Sequence, residues 1–211
     1  MTTTRATSKT IPTTAVVEDK FGLTLTADPQ FFTEWRENLP NLTDLEKETL
    51  NLLQQRFAAH RRRGTVSEGA VDKLLVSPLL DLAGFYELPF EIRTEEPVEF
   101  AVAEEDELLR GRIDTLIIQD QLWVVVIEAK RTIMVSLAVP QALSYMMCSP
   151  NPERPVYGLV SNGDEFIFLK VKATPKPEYS SSKLYSLFFP PNSQDLYEVF
   201  QVLKRIGTVA I

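Results

Sequence analysis

Three ionic side chains stand where strand-forming sequence has little use for them. Asp114 lies inside the apolar run RGRIDTLIIQ, and Glu128 and Lys130 close a second run, LWVVVIEAK, with a polar bend at Gln119, Asp120 and Gln121 between the two. Side chains alternate along a strand, so Glu128 and Lys130 project together while Ile127 and Ala129 project the other way. In an antiparallel hairpin Asp114 joins the Glu128 face only if the bend holds an odd number of residues. Three residues, Gln119 to Gln121, set it diagonal to Glu128, and two send it to the opposite side. Two carboxylates meeting an ammonium at the end of an apolar strand pair lose hydration and repel each other, unless a divalent cation or a substrate phosphate offsets the cost. Mg2+ suits such a set because it takes hard oxygen ligands and keeps several waters. Mn2+ favours the same donors.

A plainer account runs beside this one. An acid and a lysine two apart at a strand end are common, and Asp114 with Lys130 can be an ordinary ion pair. The metal account gains from the whole set: an acid in the preceding strand, an apolar run ending at the second acid, and polar residues on the helices either side.

The string Asp114, then Glu128-Ala129-Lys130, resembles the active-site pattern of the PD-(D/E)xK nuclease superfamily, and its longer context resembles the N-terminal nuclease domain of type I restriction enzyme R subunits. Glu68, in SEGAVDKLLVSPLLDLAGF, is similar to the acid on the first helix of those domains. Gln141 and Tyr145, in PQALSYM, resemble the Q-x-x-x-Y helix that follows the E-x-K strand, and GLVSNGDEFIFLKV resembles the hairpin in which they continue. The resemblance spans Thr65 to Val171. It implies a restriction-endonuclease-like α/β core, a central mixed sheet flanked by the Glu68 and Gln141 helices. It implies that Asp114, Glu128 and the Ala129 carbonyl hold Mg2+, and that Lys130 positions the attacking water or stabilises charge on the phosphoryl oxygens. Gln141 would meet a site water or phosphate, Tyr145 would support the site by hydrogen bonding or stacking, and Glu68 would hold the water shell of the metal or orient the neighbourhood of Asp114. The implied reaction is hydrolysis of DNA phosphodiesters. The implied partners are DNA, other restriction-system subunits or a separate motor, and a second copy of the chain for cutting both strands.

The sequence departs from that pattern in two places. It carries no G-x-x-x-x-G-K-[ST] loop for an ATP-driven motor, and Arg112-Ile113 stands before Asp114 where the superfamily's naming motif has a proline. The chain also reads as acidic, with a formal net charge of −7, whereas phosphate neutralisation calls for cations. Local positive charge must compensate: Arg112 and Arg131 at the hairpin are the DNA-contacting candidates, with Arg110, Arg61 to Arg63, Lys170, Lys172 and Lys176 further off. A solvated face is the plain account of each run. The acidic balance and missing motor fit an alternative, a non-catalytic nucleic-acid- or protein-binding module that retains the nuclease fold.

At 211 residues the chain is long enough for one substantial core. A single cysteine, Cys148, offers no internal disulfide, and no apolar run approaches membrane-spanning length, so the expected setting is the cytoplasm. One histidine, His60, excludes a multi-histidine zinc site.

The elements that must position these residues follow in order. Residues 1–20 read as a flexible tail, 21–64 as a helical extension and 65–211 as the nuclease domain. Phe31, Phe32 and Trp35 stand at helical spacing after Asp28-Pro29. Thr43 with Glu46 forms a capping box for a helix reaching His60, and Thr65 with Glu68 repeats the motif, which offers Glu68 a purely structural role. Strands are expected at Phe90 to Arg93 and Val98 to Ala103, a helix from Val139, a hairpin turning at Asn162-Gly163, a strand at Lys183 to Phe189, and a closing helix capped by Ser193 with Leu196, Val199, Phe200 and Leu203 inward. Gln141 and Tyr145, four apart, share a helix face, and without the family pattern they read as a boundary pair whose polar tips reach solvent.

Overall fold

The computed structural model describes residues 5–6, 13–102, 107–119, 122–129, 135–187 and 194–209, and the side chains of 13–99, 111–119, 135–187 and 194–209. The chain forms a mixed sheet with helices on both faces. Strand β1 (Arg5–Ala6) precedes helix α1 (Thr14–Phe21) and β2 (Thr24–Leu25), and α2 (Asp44–Arg61) follows. Next come α3 (Glu68–Val71), a π-helical turn at Asp72–Val76 and α4 (Ser77–Leu82). Strands β3 (Phe90–Val102), β4 (Glu107–Gln119) and β5 (Leu122–Ala129) form an antiparallel meander. A 3-10 turn (Val135–Ala138) and α5 (Val139–Met146) then cross over to β6 (Val156–Ser161), which lies parallel to β5. The chain continues through β7 (Glu165–Lys172), β8 (Glu178–Ser181), β9 (Tyr185–Ser186) and α6 (Asp195–Val209). The sheet runs β1-β4-β5-β6-β7-β8-β2, with β3 also on β4 and β9 on β7.

Period-two alternation divides the core into two layers. Ile117, Tyr157, Leu159, Phe166 and Phe168 pack under α2, α3, α4 and α6. Leu116, Ile118, Val156, Val160, Leu169 and Val171 pack under α1 and α5. All six residues of β6 are buried, as a central strand covered on both faces requires. The expected stripe of the closing helix is buried as well, at Leu196, Val199, Phe200 and Leu203. Its expected cap, Ser193, lies outside the described residues.

Five local expectations change. Residues 14–20, read as tail, belong to α1: Thr13 accepts a hydrogen bond from the Val16 N–H, Gly22 closes the helix at φ 60, and Val17 is buried. Phe31, Phe32 and Trp35 form turns, because the two phenylalanine rings dock around Lys170, Trp35 packs against the core, and Asp28 accepts from the Gln30 N–H. The two strands expected around Glu95 are one, β3. The β6–β7 turn is centred one residue later than expected, on Gly163-Asp164, with Asn162 Oδ1 accepting from the N–H groups of Asp164 and Glu165. Of the expected strand at Lys183 to Phe189, β9 is the part formed among the described residues.

Candidate functional site

The β4–β5 hairpin turns through two residues, since Gln119 pairs with Leu122 and Ile118 with Trp123. A hairpin so joined would send Asp114 away from the Glu128 side. The register shifts, however, between Ile117 and Ile118: Ile117 pairs with Val125 and Thr115 with Ile127, leaving Val124 as an extra residue on β5. Two bend residues plus one bulged residue restore the odd count. Continued one step, the register sets position 128 directly across from Asp114, where a three-residue bend would have left it diagonal.

Of Glu128 and Ala129 the structure describes the backbone, and Lys130 and Arg131 lie outside the described residues. Asp114 is half-buried. Arg112 is exposed and precedes Asp114 by two on β4. Among the described residues no three acidic, histidine or cysteine side chains gather into a metal-binding group.

Gln141 and Tyr145 meet as their spacing allows. Gln141 Nε2 donates to Tyr145 Oη at 2.7 Å, and the Arg112 backbone N–H donates to the same oxygen at 3.2 Å. The buried tyrosine thus ties α5 to β4 two residues before Asp114, and its polar tip reaches protein rather than solvent. Tyr145→Phe would leave the Arg112 N–H and the Gln141 amide without that acceptor, a loss of about 1–3 kcal/mol. The expected result is a melting temperature lower by several degrees, read by differential scanning calorimetry, while Tyr145→Leu loses packing besides.

Glu68 is exposed and is the first residue of α3. Ser67 is the N-cap and makes no side-chain cap bond, so the helix starts two residues later than a Thr65 capping box would place it. Val71 of the same helix packs on the β6–β7 turn: a Cβ on Gly163 would come within 2.4 Å of Phe57 Cζ and 3.2 Å of Val71 Cγ1. That turn follows Ser161, which pairs with Ala129 and whose Oγ donates to the Glu165 carbonyl and accepts from the Gly163 N–H. Arg61 Nε reaches Asp164 Oδ2 at 2.6 Å, holding the end of α2, with exposed Arg62 and Arg63, at the same end of the sheet as position 129. Sequence spacing gives no warning of the Arg61–Asp164 pair, which joins residues far apart in the chain.

One candidate leaves the list. Lys170 is no surface cation: its Nζ lies 2.6 Å from Glu34 Oε1, and the two side chains are only 14% and 13% exposed. The rings of Phe31, Phe32 and Tyr157 surround it. Cys148 is half-buried, and burial pushes its thiol up to about 12, so it is protonated and unreactive at neutral pH. No helix among the described residues is long and apolar enough to cross a membrane.

The sequence profile of the type I restriction enzyme R protein N terminus matches residues 26–177. A search of curated proteins finds no significant match. Among solved structures, the chain resembles a fragment described as the HsdR subunit of a type I restriction enzyme from Vibrio vulnificus YJ016, with 19% identity and a TM-score of 0.39. That likeness covers 68% of this chain and 26% of the other. The profile match takes in most of the chain, including β3 to β7 and every candidate site residue from Glu68 to Tyr145, and on that ground the chain belongs to the type I restriction enzyme R protein N-terminus family.

Proposed function

We propose that this module is a metal-dependent endodeoxyribonuclease that hydrolyses DNA phosphodiester bonds at the β4–β5 hairpin. The observation that supports the reading is the bulged register, which pairs Thr115 with Ile127 and, continued one step, would bring position 128 across from Asp114 on the strand that leads to Lys130. Two carboxylates and the Ala129 carbonyl are hard oxygen donors, and their small number fits Mg2+, which keeps waters and takes substrate phosphate oxygens for the rest. Asp114, Glu128 and Ala129 would hold the ion, with Glu68 bearing on its water shell. Bound there, it supplies polarisation of the scissile phosphate and a lowered pKa for a coordinated water. Lys130 orients the attacking water or meets charge building on the phosphoryl oxygens. Gln141 would meet a site water or phosphate through its amide, and Tyr145, which accepts from its Nε2, fixes the helix that carries it. Arg112 and Arg131 contact the DNA backbone on either side of the hairpin.

DNA translocation belongs to a motor outside this sequence, and other restriction-system subunits bring the specificity. The acidic balance of −7 favours one competing reading, a binding module without catalysis. Supercoiled plasmid separates the two. The nuclease nicks or linearises it with Mg2+ or Mn2+, falls silent in EDTA, and loses activity in Lys130→Ala. Cleavage equal in wild type and Lys130→Ala would reject the site, and plasmid bound but never cut in either metal would favour the binding module.

A further inference from the structure

β3 pairs with β4 along its whole length, yet one of its residues does not conform. The register passes from Thr94 opposite Thr115 to Glu96 opposite Ile113, so Glu95 is the residue that faces Asp114. Glu95 sits at φ 57. A residue with a side chain rarely adopts that left-handed region, and it persists where the surroundings hold it. In the extended conformation of its neighbours, Glu95 would stand directly across from Asp114, two like charges on one side of a strand pair. Instead its carboxylate meets Arg112, Oε2 lying 2.5 Å from Nε. Both side chains of the pair are exposed, at 66% for Arg112 and 57% for Glu95.

We infer that Glu95 is an internal stand-in for a DNA phosphate, holding the Arg112 guanidinium until a backbone phosphate replaces it. The inference rests on the reading of Arg112 as a DNA contact and names the residue that regulates it. A carboxylate and a phosphate offer a guanidinium the same charge-assisted acceptors, so one can take the other's place. An exposed ion pair is weak enough to exchange. The left-handed backbone at Glu95 delivers the carboxylate to Arg112 rather than to Asp114. Glu95 therefore keeps Arg112 ordered in free protein and taxes its contact with DNA.

Duplex binding measured by fluorescence anisotropy in EDTA, where cleavage does not enter, tests this. Glu95→Gln is expected to bind about threefold tighter at low salt and with a steeper salt dependence, since one guanidinium no longer has an internal competitor. Arg112→Ala is expected to bind about threefold or more weaker. The double variant Glu95→Gln with Arg112→Ala should match Arg112→Ala alone, because the competitor matters only while the arginine is there. If Glu95→Gln tightens binding equally in both backgrounds, the effect is general charge, and the inference falls. It falls also if Glu95→Gln binds as wild type does, or if Arg112→Ala does.

A second measurement needs no DNA. Glycine takes φ 57 at no steric cost and alanine only with strain, so Glu95→Gly should melt about 2–4 °C above Glu95→Ala. Equal melting temperatures would remove the strained delivery from the account. A wild-type chain that binds no duplex overturns both this inference and the DNA reading, whereas binding without metal-dependent cutting overturns the nuclease reading alone.

Discussion

Asp114→Asn is expected to lower Mg2+-dependent DNA cleavage on the order of a thousandfold while leaving the melting temperature in EDTA near that of wild type. Asparagine keeps the size and the strand position but removes the charge, and a hard divalent cation draws most of its binding from anionic oxygen. Isothermal titration calorimetry should therefore show Mg2+ or Mn2+ uptake by wild type and none by the variant. The same loss appears in melting: a single-site ligand at a hundredfold excess over its Kd stabilises a protein by about 2.7 kcal/mol, and that metal-induced rise should vanish. Cleavage undiminished in Asp114→Asn, or metal uptake unchanged, would remove Asp114 from the site. A fall in activity with metal uptake intact would instead assign it a role toward the substrate.

Lys170→Met is expected to cost about 3–5 kcal/mol, the largest loss of stability foreseen for a single polar side chain here, because it strands a buried acid. Glu34 Oε1 accepts from Lys170 at 2.6 Å and from Tyr157 Oη at 2.7 Å. Burial alone pushes the Glu34 carboxyl up, but the hydrogen bonds from Lys170 and Tyr157 and the ammonium's charge outweigh it, and the net shift is downward. A carboxyl lowered on folding contributes stability that is present above the ordinary glutamate pKa of about 4.3 and is lost as the pH falls through its folded value. Wild type should accordingly lose stability on the acid side of that range. In Lys170→Met the hold on the charged form is gone while burial remains, so the acid-side loss flattens. Glu34→Gln combined with Lys170→Met should recover much of the deficit, since no uncompensated charge is left inside. Denaturant melts of the single and double variants from acid to neutral pH read all of this, and a single variant with an unchanged acid limb would show that the pair contributes little.

Local chemistry made some elements legible and long-range packing hid others. The Thr43 and Glu46 capping box forms as its spacing implies, each residue bonding the backbone of the other. The closing helix buries the stripe that its period announces. Phe31, Phe32 and Trp35 misled because helical spacing does not prove a helix: the partners of the two phenylalanines, Tyr157 and Lys170, come from β6 and β7, more than a hundred residues on. At the site, the contact between Gln141 and Tyr145 could be read from a separation of four, but the Arg112 N–H that completes it belongs to another strand. The bulge at Val124 was beyond reach. Three consecutive valines look the same in any register, and only pairing with β4 tells which one is extra. Glu95 was equally hidden, because its backbone angle is imposed by β4 and by Arg112.

The bulge makes the hairpin an arithmetic device. With the two-residue bend and the single bulge both kept, lengthening or shortening the stretch between Ile117 and Val125 by one residue would turn Asp114 and Glu128 to opposite sides, whereas a change of two would merely slide one strand along the other. Parity rather than size therefore governs such changes: a chain with one residue fewer here keeps its two acids in company by giving up the bulge and pairing Ile117 with Val125 as before.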